Sequence, residues 1–168
     1  FSGGKALRGP QASGFMVGRP DLIEAARQNG APFQRWARAM KVGKEEIAGL
    51  IAAVTRYVAL DHEAIHREWQ RVVDLWHEGL SGLEGINTSV DDINEAGQPI
   101  PRVHVLFDDP TAASVVIDRL YEADPRVAVI PDISFGQSRG FWLSPDIVFP
   151  HQVDTVLSSV VDAIVAKR

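Results

Sequence analysis

Apolar residues recur at spacings of three and four from Ile47 to Trp76: Ile47, Leu50, Ile51, Val54, Tyr57, Val58, Ile65, Trp69, Val72, Val73 and Trp76. Such a stripe is the mark of an amphipathic helix, and it predicts one long helix from about Lys44 to Glu78, with Gly79 as its stop. At 1.5 Å per residue that helix spans roughly 50 Å, a length suited to bridging two lobes. Asp61 falls where the stripe should continue and marks a kink or a seam.

On the N-terminal side, Phe15-Met16-Val17 is a short apolar run between Gly14 and Gly18 and predicts a short buried strand. Pro20-Asp21 opens a helix with Leu22, Ile23, Ala25 and Ala26 on its apolar face, and Asn29-Gly30 closes it in a left-handed stop. Residues 33 to 43 carry Arg35, Arg38 and Lys41 among Phe33, Trp36 and Met40, and read as a solvated connector.

On the C-terminal side the period changes. Residues 85 to 90 alternate as a strand. Val103–Phe107 is a second strand, Asp109-Pro110 starts a helix to about Glu122, and Val127–Ile130 reads as a third strand. Residues 134 to 139 read as a loop, Gly140–Leu143 as a fourth strand, and Pro150 as the start of a last helix. That helix turns Val153, Val156, Leu157, Val160, Val161, Ile164 and Val165 inward. Strand, strand, helix, strand, strand, helix predicts an α+β layer with a mainly antiparallel sheet.

Composition narrows the function class. The 168 residues are 45% hydrophobic and 23% charged, as in an ordinary globular protein. The absence of cysteine removes disulfides and cysteine-based zinc sites. With 17 basic against 22 acidic residues the net charge is -5, and no basic run forms a track for a phosphate backbone, so nucleic acid is not expected as a partner. No apolar run approaches the length of a membrane span, about 18 residues. A cytoplasmic protein with no membrane association is expected. The chain opens on Phe1 without an initiator methionine, as the inside of a longer protein would.

Three stretches carry candidate chemistry. The first is Ser2-Gly3-Gly4-Lys5, with Arg8 and Gln11 following. A lysine amine can hold pyridoxal phosphate and later act as base toward a Cα proton. The serine offers a hydroxyl to the phosphate, and glycines permit close backbone approach and unusual torsions. A surface turn with a solvated lysine is the alternative. Ser-x-x-Lys is shared with the β-lactamases, but the S-D-N and K-T-G partners are missing. The P-loop pattern fails at Ala6.

The second is His62-Glu63-Ala64-Ile65-His66, a formal H-E-x-x-H on a helix, the zinc-hydrolase pattern. No third ligand follows at the expected spacing, and Arg67 and Glu68 suit a solvated face. No metal site is expected. The third comprises Arg102 at a strand start, Arg139 in a loop, and His104, a packed or edge histidine. Either arginine is a candidate for the cleft between lobes.

Residues Phe1 to Gly14, followed by Val17-Gly18-Arg19, resemble fold-type I pyridoxal-phosphate enzymes of the selenocysteine synthase group (L-seryl-tRNA selenium transferase) and its metabolic relatives, such as D-glucosaminate-6-phosphate ammonia-lyase. In that group a Ser-Gly-x-Lys segment carries the Schiff-base lysine, and a Gly-Pro-Gln segment follows. The resemblance extends through Tyr57–Ala64 into the C-terminal part. It implies pyridoxal 5'-phosphate as cofactor, Lys5 as its lysine, Ser2 as a phosphate contact, and Arg8 and Gln11 as substrate contacts. Arg8 stands where the selenium transferases have glycine, which leans toward the metabolic relatives.

The implied fold is the α/β type I transferase fold. Residues 1–43 would end its large domain, 44–79 would be the bridging helix, and 80–168 the small α+β domain. The implied reaction is Cα deprotonation of an amino-acid or amino-sugar-acid substrate, with β-elimination or replacement, in a homodimer or higher oligomer. The N-terminal part that would complete the site is missing from this chain, so the fragment alone is expected to be inactive. A zinc hydrolase using His62, Glu63 and His66, and a non-catalytic lobe of a multichain assembly, are the competing expectations.

Overall fold

The computed structural model describes residues 1–134 and 137–166. They form two compact units, residues 1–61 and 62–168.

The first unit contains helices α1 (Pro20–Asn29) and α2 (Lys44–Val58), with a single 3-10 turn at Arg38–Met40 between them. α1 starts where proline's missing N–H costs nothing, with Asp21 in the first turn. It ends where the Gly30 N–H bonds the Ala26 and Arg27 carbonyls. Gly30 has φ -90° and ψ -179°, so the stop is extended rather than the left-handed one the sequence predicts. On the surface of α1, Glu24 accepts from Arg27 and Gln28. The Arg27 bond, then the Gln28 bond, hold the Glu24 carboxyl down at about 2.

Two expectations fail in this unit. Residues 15 to 17 form no strand, and Met16 and Val17 are each 68% exposed. The Phe15 N–H and carbonyl both bond Phe1, but among the described residues Met16 and Val17 have no strand partner, and a strand without a partner leaves its polar groups unpaired. The region closes instead through an isolated antiparallel bridge between Ser2 and Gly14. The apolar stripe of α2 is also largely uncovered: Ile47, Ile51 and Val58 are exposed, and only Ala53 is buried.

The single long helix is two helices. α2 ends at Val58, and α3 (His62–Leu80) begins after Asp61. The Ala59 and Leu60 N–H groups bond back to Arg56 and Tyr57, a tightened last turn that leaves the α-helical path. Asp61, of a residue type that favours helix N-caps, directly precedes α3.

The second unit is built on a four-stranded antiparallel sheet, β1 (Ile86–Asp91), β2 (Arg102–Phe107), β3 (Ile130–Ser134) and β4 (Gln137–Leu143), in the order β1-β2-β4-β3. The helices of this unit are α3, α4 (Pro110–Glu122) and α5 (Val153–Val165). They pack on the face formed by Val103, Val105, Phe107, Phe141 and Leu143. Val72, Val73, Trp76 and Leu80 of α3, Val116 and Leu120 of α4, and Val160 of α5 complete this core. Trp76 is fully buried, and its indole N–H donates to the Val153 carbonyl at 3.1 Å.

The sequence signals for β1, β2 and α4 hold. Asp109 caps α4 by accepting from the Thr111 N–H at 2.9 Å. Other signals move. Gly79 lies inside α3, where a Cβ would meet the Leu157 methyls at 2.8 and 2.9 Å; it is the point of close approach of α5. The stop is made after Leu80, with Gly82 at φ +87°. Val127–Val129 is not strand: the Val127 N–H bonds the Leu120 carbonyl, tying this segment to the end of α4. The strand begins instead at Ile130, opposite Trp142. The expected loop at 134 to 139 is largely strand, apart from residues 135 and 136, which lie outside the described residues. Val165 is 60% exposed rather than inward.

Candidate functional site

The lysine loop closes on itself. Gly3 N–H donates to the Ser13 carbonyl at 2.9 Å, Gly9 N–H to the Gly3 carbonyl at 2.8 Å, and Arg8 N–H to the Lys5 carbonyl at 2.8 Å. The Ser13 hydroxyl donates to the Pro10 carbonyl at 2.6 Å. Phe1 and Phe15 stack at 5.0 Å where the two ends meet.

The glycines serve this closure. A Cβ on Gly3 would collide with Ser13 Oγ, and one on Gly4 would lie 2.5 Å from Gln11 Oε1 and 2.6 Å from Gln11 Cα. Neither has a positive φ, so they are there for close packing within the loop. The left-handed residue is Arg8, at φ +56°.

A seat for the loop exists on α2, and the apolar pattern did not reveal it. Pro10 lies over Gly49, where a Cβ would come within 2.6 Å of Pro10 Cγ. Gly9 lies over Ala53, one turn further on, and Gly3 over Leu50. Residues four apart share a helix face, so Gly49 and Ala53 make a shallow groove that lets the loop's backbone approach. The available signal was the pair of small residues at that spacing beside Leu50.

The structure brings Ser2, Lys5, Arg8 and Gln11 into this one loop. Lys5 is exposed, and its ammonium has no hydrogen bond or ion pair among the described residues. Gln11 folds over Gly4, next to Lys5 in the chain.

The H-E-x-x-H stretch forms the first turn of α3. His62, Glu63 and His66 are exposed, and Glu63 pairs with Arg67 at 3.8 Å. Among the described residues no three His, Asp or Glu side chains are grouped to hold a metal ion. The third ligand required by the zinc reading is not supplied there.

Arg102 is buried, paired with Glu95, and its guanidinium lies 3.9 Å over the Trp142 ring. His104 stacks on the same ring at 3.6 Å and bonds Asp132 through Nε2 at 2.9 Å. Arg139 belongs to β4 rather than to a loop and is exposed.

Among the described residues no helix is long and apolar enough to cross a membrane. No protein-family profile matches the chain. It is 39% identical over 115 residues to a 5'-C-glycyluridine monooxygenase-decarboxylase from Streptomyces sp, covering 67% of this chain and 27% of that protein. It is 35% identical over 105 residues to D-glucosaminate-6-phosphate ammonia lyase from Salmonella typhimurium, covering 62% of this chain and 26% of that protein. A solved structure of a D-glucosaminate-6-phosphate ammonia-lyase matches it with a TM-score of 0.63 and 27% identity, over 97% of this chain and 42% of that one. The chain thus spans about a quarter of the curated relatives it matches. The resemblance to the D-glucosaminate-6-phosphate ammonia-lyase group is found in both sequence and fold.

Proposed function

We propose that this chain is the lysine-bearing part of a type I pyridoxal-phosphate enzyme acting at the amino-bearing carbon of an amino acid or amino-sugar acid. The observation that carries the reading is Lys5: an amine with no hydrogen bond or ion pair among the described residues, on a loop closed by Gly3 and Gly9 and seated on Gly49 and Ala53. The two relatives support the reaction class. One is named as an ammonia lyase of D-glucosaminate-6-phosphate, the other as a monooxygenase-decarboxylase of 5'-C-glycyluridine. Both reactions work on bonds at or next to the carbon that bears the amine.

The donor set of the loop fits the cofactor. Lys5 Nζ is the amine that would hold its aldehyde, and the Ser2 hydroxyl is a donor for its phosphate. Bound pyridoxal phosphate supplies an electron sink for a carbanion at Cα. Lys5 Nζ is the base that takes the Cα proton. Arg8 and Gln11 orient the substrate from the same loop, Arg8 as a fork for an oxyanion. The loop's hydrogen bonds fix the backbone that carries Lys5, and a defined position is what a general base requires. Residues preceding Phe1 in the full protein, or a second copy, would supply the rest of the site.

The test is chemical trapping. The full-length protein is incubated with pyridoxal phosphate, reduced with borohydride and mapped by peptide mass spectrometry. The label is expected on Lys5 and absent from the Lys5→Arg variant. A label confined to Lys41 or Lys44 would overturn the assignment.

A further inference from the structure

The face of the sheet turned away from α3, α4 and α5 carries a column of stacked polar and aromatic side chains. Trp142 of β4 has the guanidinium of Arg102 and the imidazole of His104 both within 4 Å of its ring centre. Two groups that close to one centre would overlap on the same side, so they occupy opposite faces. Arg102 and His104 are two apart on β2 and share a face of the sheet, and the Trp142 ring is inserted between them. Glu95 fixes Arg102 at one end of this column, and Asp132 fixes His104 at the other.

The contact with Asp132 crosses β4. Asp132 pairs with Gly140, and His104 with the neighbouring Trp142. Gly140 puts no side chain on this face between them.

Beside His104 lies a hollow of about 590 Å³, lined by Asn87, His104, Leu106, Phe107, Asp108, Asp132 and Arg139. Arg139 is the unexpected member. Strict alternation from Phe141 and Leu143 would turn residue 139 toward the helices. But Asp132 pairs with Gly140 and Ile133 with Ser138, so Arg139 is the extra residue of a β-bulge. A bulge re-aims a side chain, and this one delivers a cation to the open face. Among the described residues the Arg139 guanidinium has no hydrogen bond or ion pair.

The functional groups around the hollow define a ligand. Arg139 is a fork-shaped donor for an oxyanion. His104 commits Nε2 to Asp132, which leaves Nδ1 to serve a ligand. Asp108 accepts from the Asn87 amide and has acceptor capacity beyond that one bond. Among the described residues Arg139 is the cation at this hollow, and with the neighbouring acceptors and the Leu106 wall it matches a molecule with one oxyanion and neighbouring hydroxyl or amino donors. We propose that this hollow binds a small hydroxylated acid, with its carboxylate or phosphate on Arg139 and its hydroxyl groups on His104, Asp108 and Asn87. All these residues belong to the second unit, so the proposal stands apart from the lysine-loop reading.

The test follows amide and imidazole resonances of the whole chain by NMR during titration with glycerate, glycerol phosphate, acetate and glycerol. Glycerate or glycerol phosphate is expected to shift residues 87, 104, 106 and 132 saturably. Whichever binds more tightly identifies the oxyanion. Acetate and glycerol, each lacking one half of the recognition, are expected to bind at least about tenfold more weakly. Arg139→Gln should weaken the acids about tenfold or more while leaving glycerol unchanged, and His104→Gln should weaken all hydroxylated probes. Absence of saturable shifts with either acid, equal binding of acetate, or undiminished binding by Arg139→Gln would overturn the proposal.

Discussion

The Nε2 of His104 lies 2.9 Å from Oδ2 of Asp132, and the strand between them carries a glycine at the residue paired with Asp132. β2 and β3 are not neighbours in the sheet. The pair therefore links a central strand to an edge strand over the top of β4. Gly140 also brings the backbones close: a Cβ there would collide with the Val105 carbonyl and lie 3.1 Å from Leu106 Cα. Gly140→Ala must push β2 and β4 apart. Overpacking of this kind costs about 1–3 kcal/mol, read as a lower urea midpoint with an unchanged slope. The His104 ring resonance should move with it. An unchanged midpoint would show that the strands yield freely.

The seat of the lysine loop offers a second test. Gly49→Ala places a methyl against Pro10, and the loop must lift. NMR shifts are expected at Gly9, Pro10 and Lys5, together with slower borohydride trapping at Lys5. Gly18→Ala is the control, because a Cβ there meets nothing within 4 Å. Equal effects of the two variants would count against the seat.

Trp76 tests the core of the second unit. Trp76→Phe keeps most of the apolar volume but leaves the buried Val153 carbonyl without its indole donor. Losing that partner costs about 1–3 kcal/mol, whereas Trp76→Ala adds a cavity and should cost about 3–5 kcal/mol. Denaturation midpoints of the two variants should fall in that order.

Glu24 predicts a local pH dependence. Its carboxyl is lowered from 4.5 to about 2, first by the Arg27 hydrogen bond and then by Gln28. A depressed carboxyl contributes stability above its unfolded value, near 4.5, and loses it as pH falls through about 2. α1 should therefore loosen only in that acid window. A carbon-detected titration of Glu24 should give a midpoint near 2, and Arg27→Gln should raise it toward 4.5. An unmoved midpoint in that variant would remove Arg27 as the cause.

Asp109 is the cap of α4. Asp109→Ala should cost about 0.5–2 kcal/mol, visible as faster amide exchange in the first turn at Thr111 and Ala112. Protection equal to wild type would show that the cap contributes nothing.

Local chemistry alone determined much of this protein. Pro20-Asp21 and Asp109-Pro110 start helices because they satisfy or omit N-terminal donors, and the alternation over 103–107 makes β2. The resemblance of the chain to the D-glucosaminate-6-phosphate ammonia-lyase group was legible in the sequence and stands. Tertiary structure decided the rest, because each remaining feature depends on a distant partner. Val127 has strand chemistry but spends its N–H on α4. Gly49 and Ala53 look like weak points in a stripe until Pro10 and Gly9 lie on them. Arg139 follows the period of a core position until the bulge turns it outward. Periodicity reports which face a residue would take in a regular element. Only the register of one strand against another fixes where that regularity is broken.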